Sequence, residues 1–194
     1  MNPLKTIAGT LICGFVISLI ALMFGITWPK QMLYQLVIWL HVLSGVTWIG
    51  LLYYFNFVQM PALATAATDT DGPGPAAIGK YITPTALLWF RMAAASTFIF
   101  GLFALEMSTM PNVSIIKAYT FAEGARVIGF GSWLGTIMLF NVWVLIWPNQ
   151  QKILGIVKAS AEQVAKAKVI ATMASRTNVM LSIPMLLAMV AWRY

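Results

Sequence analysis

Apolar positions along this chain gather into five long runs separated by short polar stretches, without the alternating stripes of a water-soluble sheet. A helix needs about 20 mainly apolar residues to cross the hydrocarbon core of a bilayer, and each run approaches that length. The runs cover residues 7–28, 33–58, 84–105, 127–147 and 170–192. The fold class they predict is all-α integral membrane, a single domain over 1–194 built as a bundle of five transmembrane helices. The first run is too long for the apolar region of a signal peptide and lacks a convincing small-x-small cleavage site, so it reads as a retained anchor. The second run is expected to stop at Pro61. The fifth is the least regular. Only residues 179–192 are free of charge and amide, so this span has to take in Arg176, Thr177 and Asn178 to reach across.

The polar stretches sharpen this picture. Asp69-Thr70-Asp71-Gly72-Pro73-Gly74-Pro75 reads as a loop between the second and third spans. Residues 150–169 place Ile153, Ile156, Val157 and Val164 on one helical face with lysines elsewhere. This amphipathic segment is expected to lie along the inner surface or to extend the fifth helix inward. Composition agrees: 60% of residues are hydrophobic and 9% charged, against about 25% charged in an ordinary soluble domain. The net charge of +7 does not point to nucleic acid, because the basic residues lie between apolar runs and form no single stripe. Cytoplasmic loops carry an excess of Lys and Arg. One side of the membrane holds Lys5, Lys80, Lys152, Lys158, Lys166, Lys168 and Arg176, the other only Lys30, Lys117, Arg126 and Arg193. The N-terminus is therefore expected on the cytoplasmic side and the C-terminus on the opposite, periplasmic side. The lone Cys13 lies in an apolar run, which leaves no disulfide framework and no cysteine metal site.

Polar groups inside a span are costly unless paired, so they mark the candidate chemistry. His41, the only histidine, lies in the outer part of the second span beside Ser44 and Gly45. There it is a candidate axial haem ligand, with the small residues making room for the macrocycle; the simpler alternative is a hydrogen-bonded packing histidine. A second ligand would have to come from one of 12 methionines or from another chain, or be missing, since there is no second histidine. Toward the inner side lie Asn56, Arg91, Asn141, Asn149, Arg176 and Asn178. Two arginines with several amides and no carboxylate nearby suit an anion, either a small ligand or a lipid head group. The alternative is that they snorkel to lipid phosphates or cap helix ends. All five acidic residues lie in loops or at span ends, which argues against acid-base catalysis within the bundle. Gly131-x-x-x-Gly135 and the small residues 93–96 suit close helix contact.

The segment His41-Val-Leu-Ser-Gly-Val-Thr-Trp-Ile-Gly-Leu-Leu-Tyr-Tyr-Phe-Asn-Phe-Val-Gln resembles the signature helix in the membrane domain of bacterial membrane-bound urate oxidase (urate hydroxylase). So do Leu88-Trp89-Phe90-Arg91, Gly135-Thr136-Ile137-Met138 with Asn141, Ile146-Trp147-Pro148-Asn149-Gln150-Gln151-Lys152, and Ser175-Arg176-Thr177-Asn178 with Leu181-Ser182-Ile183-Pro184-Met185. Full-length members of that family carry a C-terminal cytochrome c domain with a Cys-x-x-Cys-His site, a motif this sequence lacks. The resemblance therefore implies a short form: a redox-associated membrane domain, with haem as a candidate cofactor, working with a separate cytochrome or a larger complex on urate or a related small molecule. The second span is more distantly similar to the haem-binding protoporphyrinogen oxidase membrane family. Two further readings stay open: a non-catalytic accessory subunit, and a small-anion transporter, which with five spans would need a homo-oligomer to form a pathway.

Overall fold

The computed structural model describes residues 2–25 and 29–192. Trp28, where the apolar pattern ends the first span, and Arg193, counted at the C-terminus, lie outside the described residues. The described chain is all helical. A first apolar helix, α1 (Ile7–Gly25), precedes four helices long and apolar enough to cross a membrane, covering Gln31–Thr68, Ile78–Glu106, Arg126–Ile153 and Ala161–Ala191. This is a multi-pass membrane protein. α1 is exposed along most of its length and meets the bundle where Phe15 sets its ring edge-on to Trp39, with centroids 5.0 Å apart.

Three of the four long helices change gauge along their length. The second consists of α2 (Pro29–Tyr54), a π-helical segment Phe55–Gln59 and α3 (Met60–Thr68). The third opens with a π segment, Ile78–Ile82, and continues as α4 (Thr83–Glu106). After a short α5 (Ile115–Tyr119), the fourth is α6 (Arg126–Phe140), a π segment Asn141–Ile146 and α7 (Trp147–Ile153). Each π segment ends two residues before a proline: Pro61, Pro84 and Pro148. A proline brings no N–H, and its ring collides with the carbonyl four residues back. In each case the residue just before the proline bonds five residues back instead of four: Met60 to Phe55, Thr83 to Ile78, and Trp147 to Val142. The wider turn gives the proline ring room, so the helix passes through it. Hence the second helix does not stop at Pro61, and the third begins before Pro84.

Residues 150–169 do not form one amphipathic helix. Their first part continues the fourth long helix to Ile153. The chain then turns through Gly155, whose φ of 72° favours glycine, and the fifth helix α8 (Ala161–Ala191) starts at Ala161. Ser160 caps it in a reciprocal capping box with Gln163. Lys166 and Lys168 thus belong to the first turns of α8.

α8 packs closely against α6 and α7 because its packed face is small: Ala167, Ala171, Ala174, Ser175, Asn178, Ser182 and Ala188 are buried at helical spacing. Small residues allow backbones to approach where no hydrophobic force drives helices together. At Gly131 of α6, a Cβ would stand 3.0 Å from the Ala188 Cβ, so α6 and α8 approach closely there. α2 and α4 run antiparallel, with Phe55 edge-on to Phe90 toward one end and His41 against Thr97 toward the other. The core lies where the four long helices meet, around Trp48, Leu52, Phe90, Ala94, Met138 and Val142. A smaller cluster of Leu105, Val113, Ala118, Ala125 and Ile128 closes the opposite end under α5.

Candidate functional site

Two groups of polar side chains lie within the bundle, at different depths. The inner group fastens α8 to its neighbours. Asn178, fully buried, accepts a hydrogen bond of 2.8 Å from the Asn141 amide and donates one of 3.0 Å to the Met138 carbonyl. From α2, the Tyr53 hydroxyl pairs with the Ser182 hydroxyl at 2.9 Å, and the amide of Asn56, just beyond the end of α2, donates to Ser175 Oγ at 2.8 Å and to its own helix at the Leu52 carbonyl. Gln59 donates to Thr83 at 2.9 Å, and Thr83 in turn donates to the Ile78 carbonyl, tying two π segments together. The Asn56 Oδ1 and Gln59 Oε1 acceptors are buried and without a hydrogen-bond partner among the described residues. Asn149 bonds one turn back to the Leu145 carbonyl.

The arginines behave differently from each other. Arg91 is the fourteenth residue of the 29-residue helix Ile78–Glu106, so it lies about 20 Å from either end at 1.5 Å per residue. Its guanidinium stacks on the Trp147 ring, 3.7 Å from the centroid. Such a stack contributes about 0.5–2 kcal/mol and leaves the N–H edges of the guanidinium free to hydrogen-bond. Arg176 lies on the exposed face of α8, next to Ser175 but turned away from the Asn141–Asn178 pair. The structure thus joins Asn141 to Asn178 and Asn56 to the residue beside Arg176, while Arg91 and Asn149 contact other partners.

The outer group surrounds a cavity of about 710 Å³ lined by α2, α4, α6, α8 and the region of α5. That volume falls in the range of small-molecule and cofactor pockets, about 300–1,000 Å³. Its walls are apolar, with His41, Trp48, Thr97, Met185 and Met189 among them, and four glycines, Gly45, Gly50, Gly101 and Gly135, leave it open. His41 Nδ1 lies 2.7 Å from the Thr97 carbonyl oxygen. Since a carbonyl only accepts, Nδ1 carries the proton, and Nε2 is left as a bare lone pair with no partner among the described residues. A Cβ on Gly101 would stand 3.0 Å from His41 Cε1, so glycine at this point sets where the imidazole can lie. The Trp48 N–H is buried without a partner in the same wall. Neither Arg91 nor Arg176 lines this cavity.

Thr97 and Trp147 are the partners that a reading of the sequence does not supply. Thr97 also bonds its own helix at the Ala93 carbonyl, like many membrane threonines. Trp147 stands among eight tryptophans, and its place six residues before the end of a helix gives no hint of Arg91.

Residues 101–194 match the family model described as urate oxidase N-terminal. Over these residues, just under half of the chain, the protein is similar to a urate oxidase N-terminal membrane domain. No curated protein and no solved structure matches the chain. The matched part of the chain contains Asn141, Trp147, Arg176 and Asn178, and the α8 wall of the outer cavity. His41 and Arg91 precede it, on helices that pack against it through the Asn56–Ser175 and Tyr53–Ser182 bonds and the Arg91–Trp147 stack.

Proposed function

We propose that this urate oxidase N-terminal-like protein is a redox-associated protein of the bacterial inner membrane that binds haem in its outer cavity and works with a separate cytochrome or a larger membrane complex, acting on urate or a related small molecule. The observation that carries this reading is the His41 geometry. An imidazole whose Nδ1–H is held by a backbone carbonyl presents Nε2 in the tautomer and orientation used by metal-ligating histidines. Here that lone pair lies at an apolar cavity kept open by glycines, which fits a flat, largely apolar macrocycle. His41 would hold the iron, Thr97 would orient His41, and the apolar walls would keep water away. When bound, haem supplies one-electron transfer at a potential set by its axial ligands and surroundings. The test is the absorption spectrum of the purified full chain, supplied with haem. A Soret band that His41→Ala abolishes, with helicity unchanged by circular dichroism, supports the assignment. A chain that stays colourless, or a band indifferent to His41→Ala, defeats it.

A second reading has its own support in Arg91. An arginine in the middle of a span, stacked on tryptophan with its donor edges free, suits an anionic group on a substrate, a lipid or a partner chain. In that role Asn56, Asn141 and Asn178 fix the helices around it, and Arg176 adds a second positive charge at the exposed face. A colourless protein that always co-purifies with other membrane subunits would favour an accessory role over the redox one. Anion uptake by colourless, partner-free protein would favour a transporter.

A further inference from the structure

We infer that Met189 is the second axial ligand, so that a haem in the outer cavity is held between α2 and α8 by a histidine and a thioether; this rests on the haem reading above. The side chains lining the cavity limit the choice. Beyond His41, only tyrosine and methionine there belong to the usual axial ligands of haem iron. The Tyr119 hydroxyl is engaged with Thr136 at 2.8 Å. Tyr34 lies seven residues before His41 on the same helix, so it shares the wall of His41 and does not face it. That leaves the sulfurs of Met185 and Met189, both on α8 across the cavity.

Register separates the two. α2 and α8 run antiparallel, paired at Tyr53 with Ser182 and just beyond α2 at Asn56 with Ser175. Going back along α2 to His41 at an equal rise per residue therefore moves forward along α8, past Met185, to its last turns, where Met189 lies. Met185 is 5% exposed and belongs to the main core, one turn deeper. Met189 packs against both apolar clusters, at the junction where the cavity lies. Its terminal methyl packs against Gly131 of α6, where a Cβ would come 3.2 Å from Met189 Cε. Methionine often serves only as an adaptable filler of gaps. Here Met189 lines the same cavity as His41, whose Nε2 has no partner among the described residues.

A methionine thioether on ferric haem has its own signature, a weak sulfur-to-iron charge-transfer band in the near infrared, and it raises the reduction potential. The experiment records this band and the midpoint potential of the haem-loaded full chain for wild type, Met189→Leu and Met185→Leu. Leucine conserves volume, so both variants should fold. The wild type should show the band. Met189→Leu should keep the Soret band, lose the near-infrared band and fall in potential, while Met185→Leu keeps all three. Haem-loaded wild type without the sulfur band overturns the assignment whether or not the variants fold. So does a band that survives Met189→Leu or disappears in Met185→Leu alone. A wild type with no Soret band overturns the haem reading itself, and this inference with it.

Discussion

At the scale of single residues, cost decides what is informative. A polar group within a span must find a partner, and Asn141, Asn178 and Asn56 find theirs across helices. Asn178→Ala removes two hydrogen bonds from a site with no exposure and strands the Asn141 amide. Such a loss costs about 1–3 kcal/mol, tempered in membranes where single interhelical bonds average about 0.6 kcal/mol. A lower unfolding midpoint in detergent should report it, with Asn149→Ala, which loses only a bond to its own helix, as the milder control. Arg91→Ala should impair function more than Lys158→Ala, because Lys158 is an exposed loop residue while Arg91 is stacked in mid-span. Equal tolerance in a complementation assay would remove Arg91 from the functional account. That these residues lie within spans was legible in the sequence, but the mid-span depth of Arg91 and the way each side chain faces were not. Arg176 and Asn178 are two positions apart on one helix, and only packing shows that the first faces outward and the second is sealed inside.

At the scale of elements, the apolar runs marked the helices well and the prolines marked their ends badly. A lone proline in sequence reads as a stop, since nothing in composition announces that the preceding turn will widen. The π segments are products of the bundle, where Gln59 and Thr83 hold two of them together. The α5–α6 contact depends on one missing methyl group. A Cβ on Gly129 would run into the Ala118 carbonyl oxygen, part of the rigid backbone of α5. Gly129→Ala should therefore push α5 off α6, opening the end of the outer cavity beside Val113 and Ile128. Faster protease nicking around residues 115–125 would show it. Gly135→Ala should not have this effect, because nothing lies within 4 Å of that Cβ position.

At the scale of the whole molecule, the four long helices form the body and α1 stands beside it, joined at Phe15 and Trp39. Charge counting predicts the N-terminus in the cytoplasm and the C-terminus outside, and much of that margin comes from Lys152, Lys158, Lys166 and Lys168 around the junction of α7 and α8. Reporter fusions active only on one side of the membrane should find the two termini on opposite sides. Replacing those four lysines by glutamine should weaken or reverse the preference. The bundle, the polar residues within its spans and its lone histidine could be read from the chain. The outer cavity could not, because it is made by glycines on three helices that are adjacent only after folding.

The three wide turns also bear on how the chain tolerates changes in its own length. Removing one residue from an ordinary α-helix turns everything beyond it by about 100° and scrambles the buried face. A π turn holds one residue more than an α turn, so deletion there returns the helix to standard winding and leaves both flanks facing as before. Deleting the exposed Val144 together with Pro148→Ala, which removes the ring the wide turn accommodates, should keep Asn141 on Asn178 and Trp147 under Arg91. The same deletion at Leu134, inside α6 and buried, should not fold.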